Sequence, residues 1–108
     1  MLAVKHGIAA ALILALASPS QAQSPAAQRG LTFVRTNCAQ CHAIDKVSAS
    51  PLRIAPPFRS LHRMYPVESL EEALAEGIST GHPAMPEFRL DPGQIGDVIA
   101  YLKSLERR

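Results

Sequence analysis

The sequence predicts a small all-α domain with three main helices joined by long loops. Three segments carry apolar residues at helical spacing, with capping signals at their ends. No segment alternates apolar and polar residues for long enough to predict a strand. The chain of 108 residues is of the length expected for one domain.

The first helix is predicted to run from Pro25 to about Cys38. Ser24 is a suitable N-cap, and proline is favoured at the first helical position. Apolar side chains then recur at spacings of four, three and four residues. The resulting face consists of Ala27, Leu31, Val34 and Cys38.

A second helix is predicted in the segment ESLEEALAEGI, residues 68–78. Ser69 and Glu72 have the spacing of a capping box, and Gly77 is a typical C-terminal stop. The apolar face of this helix is predicted from its spacing. It consists of Val67, Leu70, Leu74 and Ile78.

The third helix is predicted from Pro92 to about Leu105, with Asp91 as its N-cap and Gln94 completing a capping box. Its inner stripe consists of Ile95, Val98, Ile99, Leu102 and Leu105. Between the first two helices, residues 43–66 are rich in proline and predict a loop with one short helical turn at residues 59–64.

Residues 1–22 have the pattern of a cleaved secretory signal peptide. Lys5 precedes an apolar run from Ile8 to Ala17, and small residues surround a cleavage site after Ala22. An uncleaved anchor is the alternative, but a membrane-spanning helix needs about 20 apolar residues. The sequence thus predicts export to the periplasm and a domain over residues 23–108, with no membrane span after cleavage.

The charge balance argues against nucleic acid as a partner. The chain has 11 basic and 9 acidic residues, and Lys5 lies in the predicted leader. Proteins bind the phosphate backbone of nucleic acids through clusters of lysine and arginine side chains. The sequence contains no such stripe of basic residues. The near-neutral balance also predicts that docking to a protein partner depends little on salt.

The segment NCAQCHAI, residues 37–44, contains both cysteines of the chain, Cys38 and Cys41, followed directly by His42. Four kinds of site use such a pair. A redox dithiol is expected beside a βαβ unit, and a zinc site needs two more ligands, here His62 and His82. A disulfide that closes so short a loop contributes little stability. Covalent haem attachment uses all three residues, with the histidine binding the iron.

Haem attachment predicts a second axial ligand farther along the chain. The candidates are Met85, Met64, His62 and His82. Met85 is favoured because it lies in GHPAMPEF, where two prolines restrict the backbone and aim the side chain. Met64 is alternatively a core residue beneath the loop, and His82 an exposed loop histidine.

Three segments resemble the small single-haem class I cytochromes c in order and spacing: RGLTFVRTNCAQCH, APPF, and GHPAMPEFRLDPGQIGDVIAYLKSL. The resemblance implies the small cytochrome c-like fold around one covalent haem c. It implies that Gly30 and Tyr101 meet where the first and last helices cross. It also implies that the Pro56 carbonyl accepts the Nδ1 proton of His42, with Pro57 as the alternative.

The same resemblance implies that Phe58 and Leu52 line the haem. The sequence departs from the family at Val34, where an aromatic residue is common; Phe33 is its neighbour. It also lacks the tryptophan that contacts a haem propionate in many members. Tyr65, Arg59 and Arg63 are the candidates for that contact.

With His42 and Met85 on the iron, the implied function is one-electron transfer, without an enzymatic reaction. The implied partners are a donor and an acceptor redox protein, such as a dehydrogenase, reductase or oxidase. The chain would be a monomer or one subunit of a heterodimer. A haem subunit docked permanently on a periplasmic dehydrogenase is an alternative function. A gas-binding haem sensor is another, and it requires an open sixth position on the iron.

Overall fold

The computed structural model describes residues 23–78 and 82–106; the predicted signal peptide lies outside these residues. The α-helices are α1 (Pro25–Asn37), α2 (Leu70–Glu76) and α3 (Pro92–Ser104). Two 3₁₀ helices, Phe58–Arg63 and Val67–Ser69, lie between α1 and α2. The described residues contain no strand, so the predicted all-α fold with three main helices is confirmed.

The caps of α1 and α3 form as the sequence predicts. The Ser24 hydroxyl accepts a hydrogen bond from the Ala27 amide at 3.1 Å, and Pro25 opens α1. At α3, the Asp91 carboxylate accepts from the Gln94 amide at 2.8 Å, and the Gln94 side chain accepts from the Asp91 amide at 3.1 Å. Both helices therefore begin where local chemistry satisfies their first free amides.

Helices α1 and α3 cross at Gly30, where the backbones come into contact. A β-carbon at Gly30 would lie 2.0 Å from the Asp97 carbonyl oxygen and 2.8 Å from the Tyr101 β-carbon. Beside the crossing, the Arg29 guanidinium donates hydrogen bonds to both carboxylate oxygens of Asp97, at 3.0 and 3.1 Å. Only glycine permits this approach, because any side chain would overlap the opposite backbone.

The start of the second helix differs from the prediction. Ser69 makes no capping hydrogen bond, and its backbone angles (φ −63°, ψ −16°) are helical, whereas an N-cap is normally extended. Helical geometry begins earlier in the chain, because the 3₁₀ helix Val67–Ser69 follows Pro66 and leads directly into α2. The predicted capping box at Ser69 and Glu72 is therefore wrong. The predicted stop is present, since Gly77 ends α2 with φ at 109°.

The core lies between α3, the buried face of α1 and the two 3₁₀ helices. Val34 and Val67 are the most deeply buried side chains, and burial of each contributes about 1.5–3 kcal/mol. All five residues of the predicted α3 stripe are buried. The remaining buried members of this cluster are Leu61, Leu90 and Tyr101.

Candidate cofactor site

The two cysteines lie in a tight turn at the end of α1. The amides of Cys38 and Ala39 both donate to the Val34 carbonyl, which ends the helix. The amides of Cys41 and His42 then donate to the Cys38 carbonyl at 3.2 and 3.0 Å. Both thiols are free and partly buried. The turn thus presents two sulfur atoms and one imidazole from a single rigid segment.

The imidazole of His42 is held from behind. Its Nδ1 lies 2.8 Å from the Pro56 carbonyl oxygen, and its ring centroid lies 4.8 Å from that of Phe58. The Pro57 carbonyl is engaged elsewhere, since it accepts from the Ser60 amide and hydroxyl. With Nδ1 donating to a carbonyl, Nε2 is the nitrogen left with a lone pair for a metal.

The loop after His42 is fastened back onto the cysteine turn. The Phe58 amide donates to the Ala43 carbonyl at 2.9 Å, and the Leu52 amide donates to the Cys41 carbonyl at 3.0 Å. The Tyr101 hydroxyl donates to the Ile44 carbonyl, which connects α3 to the same loop. These bonds explain how an irregular segment keeps Pro56 in place behind His42.

A cavity of about 460 Å³ opens in front of the cysteine turn. This volume lies within the range of cofactor pockets, about 300–1,000 Å³. All six residues predicted for the site line it: Cys38, Cys41, His42, Pro56, Phe58 and Met85. Most of the other lining residues are apolar, among them Leu52, Leu61, Leu70, Leu74, Phe88, Val98 and Leu102.

Met85 belongs to a segment that is anchored to α2. Its amide donates to the His82 carbonyl at 3.0 Å, forming a turn that includes Pro83. After this turn, the Leu90 amide donates to the Leu74 carbonyl at 2.8 Å. The Met85 side chain is partly buried in the cavity wall.

The first 3₁₀ helix divides its side chains between two surfaces: Phe58 and Leu61, three residues apart, share one, and Arg59 and His62, also three apart, share the other. Phe58, Leu61 and Met64 line the large cavity. Arg59, His62 and Arg63 line a second, separate cleft. A 3₁₀ helix has three residues per turn, so residues three apart share a face. His62, a candidate iron ligand from the sequence, therefore lies away from the cavity.

The same division separates the candidates for the propionate contact. Arg59 and Arg63 face the second cleft, and the Arg59 guanidinium donates to the Ser48 carbonyl at 2.6 Å. Tyr65 lines the large cavity, and burial raises the pKa of its hydroxyl. Of the three, Tyr65 alone has a place in the cavity wall.

The environment of the thiols weighs against the other kinds of site. Burial raises the pKa of Cys38 to about 11, whereas redox dithiols need a lowered pKa to form the reactive thiolate. Within residues 23–78 and 82–106, no three His, Cys, Asp or Glu side chains are close enough to hold a metal ion. His62 and His82 do not join the two cysteines in a zinc site.

A structured loop after His42 was not foreseen from the sequence. The Asp45 carboxylate accepts hydrogen bonds from the Val47 and Ser48 amides and from the Ser48 hydroxyl. These hydrogen bonds lower the pKa of Asp45 to about 2. The bond from the Ser48 hydroxyl contributes most. The pattern of an aspartate followed three residues later by serine is a known turn signal that could have identified it.

Comparison with known proteins assigns the family. Residues 25–102 match the family described as cytochrome c oxidase, cbb3-type, subunit III. A cytochrome c-552 from Bradyrhizobium diazoefficiens is 36% identical over 95 residues, covering 87% of this chain and 89% of the relative. The chain belongs to the cytochrome c family.

A second relative comes from another organism. A cytochrome c6 from Picosynechococcus sp. is 34% identical over 98 residues, covering 85% of this chain and 82% of the relative. No solved structure matches the chain significantly.

Membership of the cytochrome c family makes this a haem c electron-transfer protein that works with redox partners. The resemblance stated from the sequence is confirmed, as is the single covalent haem c. The residues present are suited to this group, since two thiols three residues apart lie at the wall of an apolar cavity of sufficient size. In the described part of the chain, no helix has the length and apolar character needed to cross a membrane.

Proposed function

We propose that the chain is a periplasmic one-electron carrier and not an enzyme, with its haem attached to Cys38 and Cys41 and ligated by His42 and Met85. The observation that supports this best is the common cavity lined by all four side chains. When bound, haem c supplies one-electron chemistry at its iron. His42 and Met85 would hold the iron, and the chain would also supply an apolar surround and access for partners.

The role proposed for Pro56 is to orient the proximal ligand. Its carbonyl accepts from Nδ1 of His42 at 2.8 Å, which fixes the tautomer and directs Nε2 away from the loop. A carbonyl that accepts a hydrogen bond from a ligating imidazole increases the electron donation of that imidazole to the metal. Phe58 restricts rotation of the ring from its neighbouring position.

Met85 is preferred to Met64 because of the element that carries each residue. Met64 directly follows the 3₁₀ helix that begins at Phe58, whose ring contacts His42. Met64 lines the same cavity as Met85 but is 58% exposed. Met85 is partly buried and comes from the separate segment anchored to α2.

If His42 and Met85 both bind the iron, no ligand position would be left for a substrate or a gas. Methionine ligation and an apolar surround both favour the ferrous state and raise the reduction potential. These properties support electron transfer and weigh against a gas sensor. The carrier would accept an electron from one redox protein and deliver it to another.

Export is part of the proposal. Cleavage after Ala22 would leave Gln23 and the Ser24 cap intact, so that the start of α1 is preserved. The processed chain would then acquire its haem and act in the periplasm, as a monomer or within a heterodimer.

A stably docked subunit is the second candidate function. The matching family is described as a subunit of an oxidase, which supports an assembled form. The sequence-based alternative is a permanent complex with a periplasmic dehydrogenase. Purification of the tagged chain from its native periplasm distinguishes the two. A carrier elutes alone at the size of its own domain, whereas a subunit retains a larger partner through gel filtration at high salt.

The proposed function is tested by voltammetry of the haem-loaded chain combined with exposure of the ferrous form to carbon monoxide. We expect a reversible one-electron wave and no change of the optical spectrum with carbon monoxide. Rapid carbon monoxide binding would contradict the proposal, because it requires an open sixth position.

A further inference from the structure

Helix α2 is short and has little of its own to hold it in place. It comprises seven residues, Leu70–Glu76, and none of them is buried. Its N-cap residue, Ser69, makes no capping hydrogen bond through its side chain. Isolated helices shorter than about 12–15 residues are marginally stable in water. The stability of α2 therefore depends on the segments that contact it.

The C-terminal end of α2 is capped by residues 82–90, named here the Met85 segment. The last four carbonyls of an α-helix have no partner within the helix. The Leu90 amide donates to the Leu74 carbonyl at 2.8 Å, and the Arg89 guanidinium donates to the Glu76 carbonyl at 3.0 Å. The Met85 segment thus satisfies two of the carbonyls that α2 leaves free.

Gly77 lets the two elements lie side by side directly after the helix. Its φ of 109° and ψ of 108° belong to a region that residues with a side chain rarely adopt. The next amide, that of Ile78, donates to the Phe88 carbonyl at 3.1 Å. A β-carbon at Gly77 would overlap the Glu87 carboxylate. Both the backbone angles and the closeness of the Met85 segment therefore favour glycine here.

Helix α2 and the Met85 segment together form one wall of the cavity, but the groups that join them lie outside it. Gly77 and Arg89 do not belong to the cavity lining. They would therefore act on a bound cofactor only through the backbone. The residues that do line this wall are Leu70, Leu74, Ile78, His82, Ala84, Met85, Pro86, Phe88 and Leu90.

We infer that Gly77 and Arg89 are positioning residues for Met85. They join α2 and the Met85 segment into one unit, and Met85 would be released from the iron only when this unit opens. Neither residue touches the cofactor; each holds the backbone that carries Met85. This inference rests on the proposed function, since it concerns the axial ligand proposed there.

The contacts within this unit are local, so its opening does not require the whole domain to unfold. Regions with few buried side chains open at a lower free energy than the core. Helix α2 has no buried residue, whereas Leu90, at the end of the Met85 segment, is buried in the core and marks the boundary of the unit. Substitutions at Gly77 and Arg89 should therefore change the rate of opening more than they change global stability.

The test measures how fast an added ligand replaces Met85. Stopped-flow spectroscopy would follow the loss of the far-red sulfur-to-iron band after the ferric haem-loaded chain is mixed with imidazole. At high imidazole concentration the rate reaches a limit, which is the rate at which the unit opens. Hydrogen exchange of the Ile78 and Leu90 amides reports the same opening without reference to the iron.

Arg89→Gln removes the hydrogen bond from the guanidinium to the Glu76 carbonyl. It is expected to raise the limiting rate about threefold to tenfold, as the loss of one hydrogen bond implies. Arg89→Lys keeps a cation that can donate to the same carbonyl, so it should restore part of the difference. Arg53→Gln is the matched control, because Arg53 is exposed and lines neither the cavity nor the second cleft.

Gly77→Ala is expected to raise the limiting rate about tenfold or more, since a side chain is strained at these backbone angles. Gly96→Ala adds the same methyl group to α3, where a β-carbon meets nothing within 4 Å, and should leave the rate unchanged. Denaturant unfolding of each variant measures global stability. We expect Arg89→Gln to unfold at nearly the wild-type midpoint although its limiting rate is higher.

Equal limiting rates in Arg89→Gln and Arg53→Gln would overturn the inference, and this pair decides alone if Gly77→Ala does not acquire haem. A rise in rate that only matches the loss of global stability would also overturn it, because general destabilisation gives that result. Failure of the proposed function is distinguishable. If Met85 is not the ligand, the wild-type chain lacks the far-red band and the positioning role fails with it, whereas the amide exchange still shows whether the unit opens as one.

Discussion

At the scale of single residues, the most informative polar group in the cavity is the Tyr65 hydroxyl. It is partly buried and forms no hydrogen bond with the described residues. A haem propionate is an anionic acceptor, and a hydrogen bond to a charged group contributes about 1.5–3 kcal/mol. Tyr65 is therefore the residue in this chain expected to replace the missing tryptophan.

Tyr65→Phe is predicted to lower the thermal stability of the haem-loaded chain, with little effect on the haem-free chain, and to shift the reduction potential. Scanning calorimetry and voltammetry would measure the two effects. Tyr101→Phe is the matched control. It removes the bond to the Ile44 carbonyl and should destabilise both forms. Unchanged stability and potential in Tyr65→Phe would assign the propionate contact to another residue.

At the scale of helices, the two central glycines of α1 and α3 predict opposite results. A β-carbon at Gly30 would overlap the Asp97 carbonyl, whereas one at Gly96 would meet nothing within 4 Å. Gly30→Ala is therefore predicted to destabilise the chain by several kcal/mol, in the range of severe overpacking. Gly96→Ala should stabilise it by about 0.5–1 kcal/mol, since alanine is the better helix former. Denaturant unfolding of both variants checks this pair, and similar effects would refute the crossing geometry.

At the level of the loops, Asp45 predicts a response to acid. Its pKa in the folded chain, about 2, lies below the ordinary value of 3.8, so the ionised carboxylate stabilises the loop. This contribution is fully present above the ordinary pKa and is lost as the pH falls towards 2. The protection of the Val47 and Ser48 amides, measured relative to their intrinsic exchange rates at each pH, should therefore fall over this pH range. In Asp45→Asn the amides should be less protected already at neutral pH, and equal protection in both chains would contradict the assignment.

Local patterns predicted the elements well where one short motif decides the outcome. The Asp91–Gln94 capping box and the Gly77 stop are present because each depends on contacts within one turn. The Ser69 capping box failed because the 3₁₀ turn after Pro66 already places Ser69 in helical geometry. A capping motif by itself does not show whether the residues before it are already helical.

The six residues predicted for the site all line one cavity, but the sequence says less about the geometry of that cavity. Short motifs that can be recognised without knowing how the chain packs contain the cysteine turn, Pro56 and Met85. The choice between Tyr65 and the two arginines depends on which side chains of residues 59–65 face the cavity, and the sequence does not specify this.

At the scale of the whole molecule, the cavity replaces part of the core. Apolar residues from α1, α2, α3 and the loops surround a space of about 460 Å³, and the proposed domain of residues 23–108 would be small for independent stability. Cofactor binding therefore adds directly to the free energy of folding.

A Cys38→Ala/Cys41→Ala chain produced without haem is predicted to lose cooperative unfolding while retaining part of its helical signal. Circular dichroism in the far and near ultraviolet would measure helix content and fixed packing separately. The wild-type haem-loaded chain, unfolded under the same conditions, is the reference. A sharp transition at an unchanged midpoint would show that the protein core is sufficient by itself.

The central claim is that Met85 completes the iron site, and one optical measurement tests it directly. Ferric haem c with a methionine ligand shows a weak far-red sulfur-to-iron band. We predict that the wild-type chain has this band, that Met85→Ala loses it and that Met64→Ala retains it, with covalent haem present in all three. Retention in Met85→Ala together with loss in Met64→Ala would contradict the account, as would its absence from the wild-type chain.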